Sequence, residues 1–173
     1  MVLLVVLAVT SACAGGTKRG GGEHNTADVT FAQQMIPHHE QAVVMAGLVD
    51  GAGASGEVTA LAAQITAAQD PEITTMKTWL DDWDADVEPA DHDMDMDGHT
   101  GMMTGTDLDS LAGLSGAEFD RSWLTMMTAH HEGAVEMAET ELREGRSDDA
   151  RALAKDIIAA QQKEIATMKG LLQ

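Results

Sequence analysis

Histidine and methionine recur at helical spacing in one short stretch of the chain, which contains Met35, His38, His39 and Met45. At about 100° per residue these four side chains share a stripe of about 120°, and the small residue Ala42 lies near its middle. Thioether sulfur suits soft ions such as Cu(I) and Ag(I), and imidazole suits copper, zinc and nickel. A His–Met set without thiolate therefore favours copper, with Cu(I) preferred and Ag(I) as a further candidate.

The same set occurs twice. A shift of 92 residues aligns Asp28–Leu80 with Asp120–Leu172 without a gap, and 24 of the 53 aligned positions are identical. The second stripe consists of Met127, His130, His131 and Met137. For a single copy, core packing explains such methionines equally well. The repetition favours metal binding, and it predicts a duplicated structural unit.

Each unit is predicted to form two helices, since Ala, Leu, Met, Gln and Glu dominate and glycines separate the segments. The four helices are expected at about 28–49, 56–84, 115–144 and 147–172. Ser115 and Glu118 have the spacing of a capping box. Pro37 and Pro71 should start, kink or break a helix. Two hairpins with apolar stripes predict an all-α four-helix bundle, with repeats over 28–84 and 115–173.

The segment between the repeats is acidic and is predicted to be a mobile loop over 85–114. From Asp81 to Asp109 there are 11 acidic residues and no Lys or Arg, which leaves little material for a core. The segment is either a solvated linker or an accessory metal site. Its candidate ligands are His92, Met94, Met96, His99, Met102 and Met103.

Two carboxylates adjoin the histidine pairs. Glu40 follows His39, and Glu132 follows His131. A carboxylate beside a metal-binding imidazole commonly orients the ring by a hydrogen bond. Glu40 and Glu132 are therefore candidates for that role, and the alternative is that both are surface charges.

The N-terminus indicates export. Val2–Val9 is apolar but too short to span a bilayer as a helix, and Thr10–Ala12 precede Cys13 as in a bacterial lipoprotein signal. We predict a signal peptide at 1–12, lipidation at Cys13, a tether at 13–27 and attachment to the outer face of the membrane. The alternative is a free or buried thiol. Cys13 is the only cysteine, and the formal charge of -19 argues against nucleic acid as a partner.

The combined motifs resemble the family called domain of unknown function 305, over roughly residues 28–172. The resemblance is carried by Met35–Glu40 with Met45-Ala46, by the second copy of that pattern, by the Gln, Glu-Ile and Met positions of the second helices, and by Gly98–Met103. It implies a ferritin-like four-helix bundle in exported bacterial proteins, of which members with assigned roles handle copper outside the cytoplasm. It implies as metal ligands Met35, His38, His39, Met45, Met76, Met127, His130, His131, Met137 and Met168.

The function predicted from these observations is the binding or sequestration of copper outside the cytoplasm, with copper tolerance as a candidate role. No enzymatic activity is predicted. Partners would be the metal ion and the membrane through its lipid anchor, with a second copy or a copper-handling protein as further candidates. The first alternative is a structural or interaction module of the cell envelope. A di-iron enzyme is disfavoured because such bundles use Glu-x-x-His, which the chain lacks.

Overall fold

A computed structural model describes residues 23–87 and 101–173 of the chain. Within these residues the regular structure is entirely helical. The helices are α1 (Thr26–Gly47), α2 (Val49–Ala52), α3 (Gly56–Asp82), α4 (Gly105–Ala112), α5 (Gly116–Glu144) and α6 (Asp148–Leu171). The predicted signal peptide, Cys13, most of the tether and the loop positions 88–100 lie outside the described residues.

The four long helices form two hairpins, α1 with α3 and α5 with α6, which meet mainly through α1 and α5. Each hairpin turns at a serine that caps its second helix: Ser55 accepts a hydrogen bond from the amide of Val58, and Ser147 accepts one from Ala150. Serine at this position satisfies an amide that the helix leaves unpaired. The predicted all-α four-helix bundle of two duplicated hairpins is confirmed.

The core consists of two buried clusters, one towards each end of the bundle. The N-terminal half of α1 and the C-terminal half of α5 contribute to the same cluster, so the two helices run antiparallel. Residues with the most side-chain volume in these clusters include Phe119, Trp123 and five fully buried methionines. Among the described helices, none is long and apolar enough to cross a membrane.

The two helices that contain proline continue through it, so neither proline starts or breaks a helix. Pro37 lies within α1 and Pro71 within α3. A proline removes one backbone hydrogen bond and crowds the preceding turn. Both prolines are exposed, which allows water to replace the missing partner. Packing of the buried faces then keeps each helix intact.

Two local features differ from the sequence prediction. Ser115 precedes α5 but makes no side-chain cap, because Gly116 follows it with a φ of 56°, outside the helical range. The expected loop contains α4, which begins with a capping box formed by Thr104 and Asp107. Leu111 of α4 is 1% exposed and belongs to the core, so this residue anchors the helix while most of α4 is exposed.

Candidate metal site

The two histidine pairs meet at the centre of the bundle. His38 of α1 and His130 of α5 face each other with ring centroids 3.8 Å apart, and both are about 1% exposed. The two residues occupy equivalent positions of the repeats. Because each contacts its own counterpart, they lie on the pseudo-twofold axis that relates the two hairpins.

His130 is held in the neutral form. Burial and, next, the adjacent imidazole of His38 hold the pKa of His130 well below its usual value of 6.5. Burial acts in this direction because it disfavours the charged ring. Neutral imidazole is the form that binds metal ions, so the centre of the bundle offers an imidazole that stays available for a metal at neutral and mildly acidic pH.

The second histidine of each pair is oriented by a glutamate of the partner helix. The Nε2–H of His39 donates to Glu72 and that of His131 donates to Glu164, both at 2.8 Å. Both rings are fully buried. In a neutral ring held in this way, the Nδ1 atom is the acceptor. Neither Nδ1 atom has a hydrogen-bond partner in the described part of the chain.

A buried acceptor without a donor is costly. Two more such atoms lie one turn before the glutamates that hold the rings. The Oε1 atoms of Gln69 and Gln161 are buried without a partner, one in each repeat. Gln69 and Glu72 are one turn apart on α3, and Met76 follows one turn later. The same acceptors are therefore left unsatisfied in both halves of the molecule, as expected where a cation or an ordered water would complete the site.

The methionines flank the histidines in two groups. At one end of the bundle, Met45, Met127 and Met168 share a buried cluster. At the other end, Met35 and Met76 share the second cluster, and the partly buried Met137 packs against it. Each group draws on three helices. Five of the six thioethers are fully buried and Met137 is partly buried. The methionines predicted on the four long helices therefore face the interior in two groups, and along α1 and α5 the histidines lie between them.

The role expected for Glu40 and Glu132 belongs to other residues. Glu40 accepts from Lys77 and Glu132 accepts from Lys169, both at 2.7 Å and about half exposed. Each glutamate lies about 100° further round the helix than its neighbouring histidine, which turns it to the surface. The sequence analysis missed Glu72 and Glu164, although the Glu-Ile pair is identical in the two repeats and places a carboxylate beside an apolar face.

The described end of the acidic segment reaches the site. Gln41 pairs with the backbone of Met103 in both directions: its Nε2 donates to the carbonyl at 2.8 Å, and its Oε1 accepts from the amide at 2.7 Å. Met103 packs against the cluster that contains Met127, and Met102 is partly buried. The other predicted accessory ligands, His92, Met94, Met96 and His99, lie outside the described residues.

The donor set fits a soft ion better than a hard one. Across residues 23–87 and 101–173, no three His, Cys, Asp or Glu side chains form a group that could hold a metal ion by themselves. Buried thioethers beside neutral imidazoles suit monovalent copper or silver. The unsatisfied Nδ1 atoms of His39 and His131 could complete such a ligand set.

Fold and site together define a class of small helical bundles with duplicated histidine–methionine interiors. The family profile described as "Domain of unknown function (DUF305)" matches residues 28–172. The chain therefore belongs to the DUF305 family. A comparison with curated proteins gave no match.

Solved structures support this assignment. A DUF305 protein from Streptomyces coelicolor, named as a secreted protein, is 33% identical with a TM-score of 0.79, covering 84% of this chain and 91% of its own. A DUF305 fragment from Deinococcus radiodurans is 29% identical with a TM-score of 0.77, over 87% and 98% of the two chains. CopM in its Cu(I)-bound form is 33% identical with a TM-score of 0.70, over 83% and 94%. CopM structures with Cu(II) and with Ag also match.

Proposed function

We propose that this protein binds copper, with Cu(I) preferred and Ag(I) accepted, in the interior of its helical bundle. The observation that carries the proposal is the buried Nδ1 atom of His39, and of its counterpart His131, left without a partner while a glutamate fixes the opposite side of the ring. A carboxylate that holds one nitrogen of an imidazole directs the other towards a metal ion.

The candidate ligands are the two histidine pairs and the two groups of methionines. Thioether sulfur is uncharged, so a bound monovalent ion would not leave a buried excess of negative charge. The Cu(I), Cu(II) and Ag forms of CopM, a relative of similar fold, support this choice of ion. We propose a role in binding or sequestration rather than catalysis.

We further propose that the protein acts outside the cytoplasm. The apolar N-terminal run and Cys13 support export with a lipid anchor, and the Streptomyces relative is named as secreted. Methionine ligands are suited to such a compartment because cysteine thiols are prone to oxidation there. Mass spectrometry of protein from the cell envelope would test the anchor, since an unmodified Cys13 in the mature chain would contradict it.

Anaerobic titration with Cu(I) against a competing chelator tests the binding proposal. The double variant Glu72→Gln, Glu164→Gln should bind roughly 10- to 100-fold more weakly, because each ring loses the carboxylate that orients it. The matched control is Glu40→Gln, Glu132→Gln, which neutralises the exposed glutamates next to the same histidines and should leave the affinity unchanged.

A second set of variants separates ligation from packing. Leucine resembles methionine in volume but lacks sulfur, so Met76→Leu with Met168→Leu should weaken Cu(I) binding while the metal-free protein keeps its melting temperature within a few degrees. Absence of Cu(I) uptake by the wild type, or equal affinity in every variant, would refute the proposal. In that case the methionines only fill the core, and copper would leave the thermal stability unchanged.

A further inference from the structure

The end of the bundle that holds Met137 has an open cavity at its surface. A cavity of about 420 Å³ lies between the N-terminal half of α1 and the C-terminal half of α5, and its lining includes Phe31, Gln34 and Met137. Met137 is only partly buried, whereas its repeat counterpart Met45 is completely buried. The side chain of Met137, in one of the two methionine groups, is therefore accessible from outside through this cavity.

Substitutions between the repeats account for the difference. Trp123 occupies the position equivalent to Phe31, and its larger ring is fully buried. Its indole Nε1–H donates to the carbonyl of Met45 at 2.9 Å. Gln34 of the open end corresponds to Met126. Larger or more apolar side chains thus occupy, in the second repeat, two of the positions that line this cavity in the first.

The open end is also the acidic one. Glu136, Glu141 and Glu144 line the cavity, whereas the equivalent positions hold Val44, Val49 and Ala52. Glu136 and Glu144 are exposed at the rim. Glu141 is 1% exposed and its carboxyl group interacts with that of Asp28. The negative charges of Glu136 and Glu144 at this cleft raise the local concentration of cations.

We propose that this cavity is the route by which a soft cation enters and leaves the interior, with the partly exposed thioether of Met137 as its first buried ligand. The proposal rests on the proposed function, because it concerns the path to the same site. The rim glutamates attract the ion, and Met137 passes it to the cluster that holds Met35 and Met76.

Blocking the entrance tests the proposal. Thr30 lines the cavity and is exposed, so Thr30→Trp places a large ring in the opening. Ser122 is the repeat counterpart of Thr30 and does not line this cavity, so Ser122→Trp is the matched control. Each variant is loaded with Cu(I) and mixed with a saturating excess of a chromophoric chelator. The absorbance of the chelate then reports the release of Cu(I).

We expect Thr30→Trp to release Cu(I) roughly tenfold more slowly than the wild type, because a packed interior offers little alternative space. Its equilibrium affinity should stay within about twofold, because a change of route leaves the end states unaltered. Ser122→Trp should release Cu(I) at the wild-type rate. Equal release by the wild type and Thr30→Trp would overturn the entrance proposal while leaving copper binding intact. A wild type that never loads would instead refute the proposed function.

A second variant keeps the test valid if Thr30→Trp does not fold. Glu136→Gln with Glu144→Gln removes two exposed charges at the rim and should slow Cu(I) uptake about threefold at low ionic strength. The difference should shrink as salt is added. Uptake at the wild-type rate in low salt would overturn the role of the rim.

Discussion

Replacing the buried Glu141 by glutamine should change how stability depends on pH. Glu141 lies beside Asp28, and burial, followed by this neighbour, raises its pKa from 4.5 to about 8. Burial opposes ionisation of Asp28 as well, but amide hydrogen bonds from Asn25, Ser147 and Arg146 outweigh it and lower its pKa. At neutral pH the pair therefore consists of a carboxylate at Asp28 and a carboxylic acid at Glu141.

The sign follows from proton binding. Between pH 4.5 and about 8 the folded protein keeps the proton of Glu141 and the unfolded chain releases it, so stability falls as the pH rises. Asp28 acts oppositely, and its contribution is lost only as acid protonates it below its unfolded pKa of 3.8. Each pH unit is equivalent to about 1.4 kcal/mol, so Glu141 can cost the protein at most about 4 kcal/mol between pH 5 and pH 8.

We expect about half of that limit, ~2 kcal/mol, because the adjoining cavity lets water screen the carboxylate. Urea unfolding of the metal-free protein at pH 5 and pH 8, followed by circular dichroism, measures the effect. The control is Glu141→Gln, which imitates the protonated acid and retains every other charge. The wild type should lose ~2 kcal/mol more than the variant over this range. Equal losses would refute the buried acid pair.

Three further substitutions test local features. Gly101→Ala should cost about 2 kcal/mol, because Gly101 has a φ of 85° and an added Cβ would lie 2.5 Å from the carbonyl oxygen of Ala129; a neutral result in urea unfolding would contradict this contact. Trp123→Phe should lower the free energy of unfolding by roughly 2–3 kcal/mol, through a cavity and the lost hydrogen bond to Met45. An unchanged melting temperature would contradict tight packing around Trp123. Pro71→Ala should raise the free energy of unfolding by up to about 3 kcal/mol. An unchanged value would show that the helix already compensates for the proline.

The sequence predicted the fold because its signals repeat. The shift of 92 residues gives the two hairpins, and the spacing of Met35, His38 and Met45 gives the buried stripe. The repeat is visible by comparing the chain with itself, and the stripe is a local property of a helix. Helix bounds agreed within a few residues for the same reason, since Ser55 and Ser147 mark the starts of α3 and α6.

The missed features depend on contacts between distant residues. His39 and Glu72 are 33 residues apart and belong to different helices, so no local spacing connects them. The acidic composition around α4 concealed its anchor, because Leu111 alone supplies its fully buried contact. The failed cap at Ser115 depends on the left-handed conformation of Gly116, which the sequence pattern permits but does not require.

The contact between His38 and His130 has a consequence for the origin of the chain. A hairpin on its own would present its central imidazole to water. A second hairpin buries that ring, as His38 and His130 bury each other here. Two identical hairpins could bury these rings against each other with the same symmetry. A single chain also lets each half carry its own residues, as Trp123 in place of Phe31 and Glu136 in place of Val44 show.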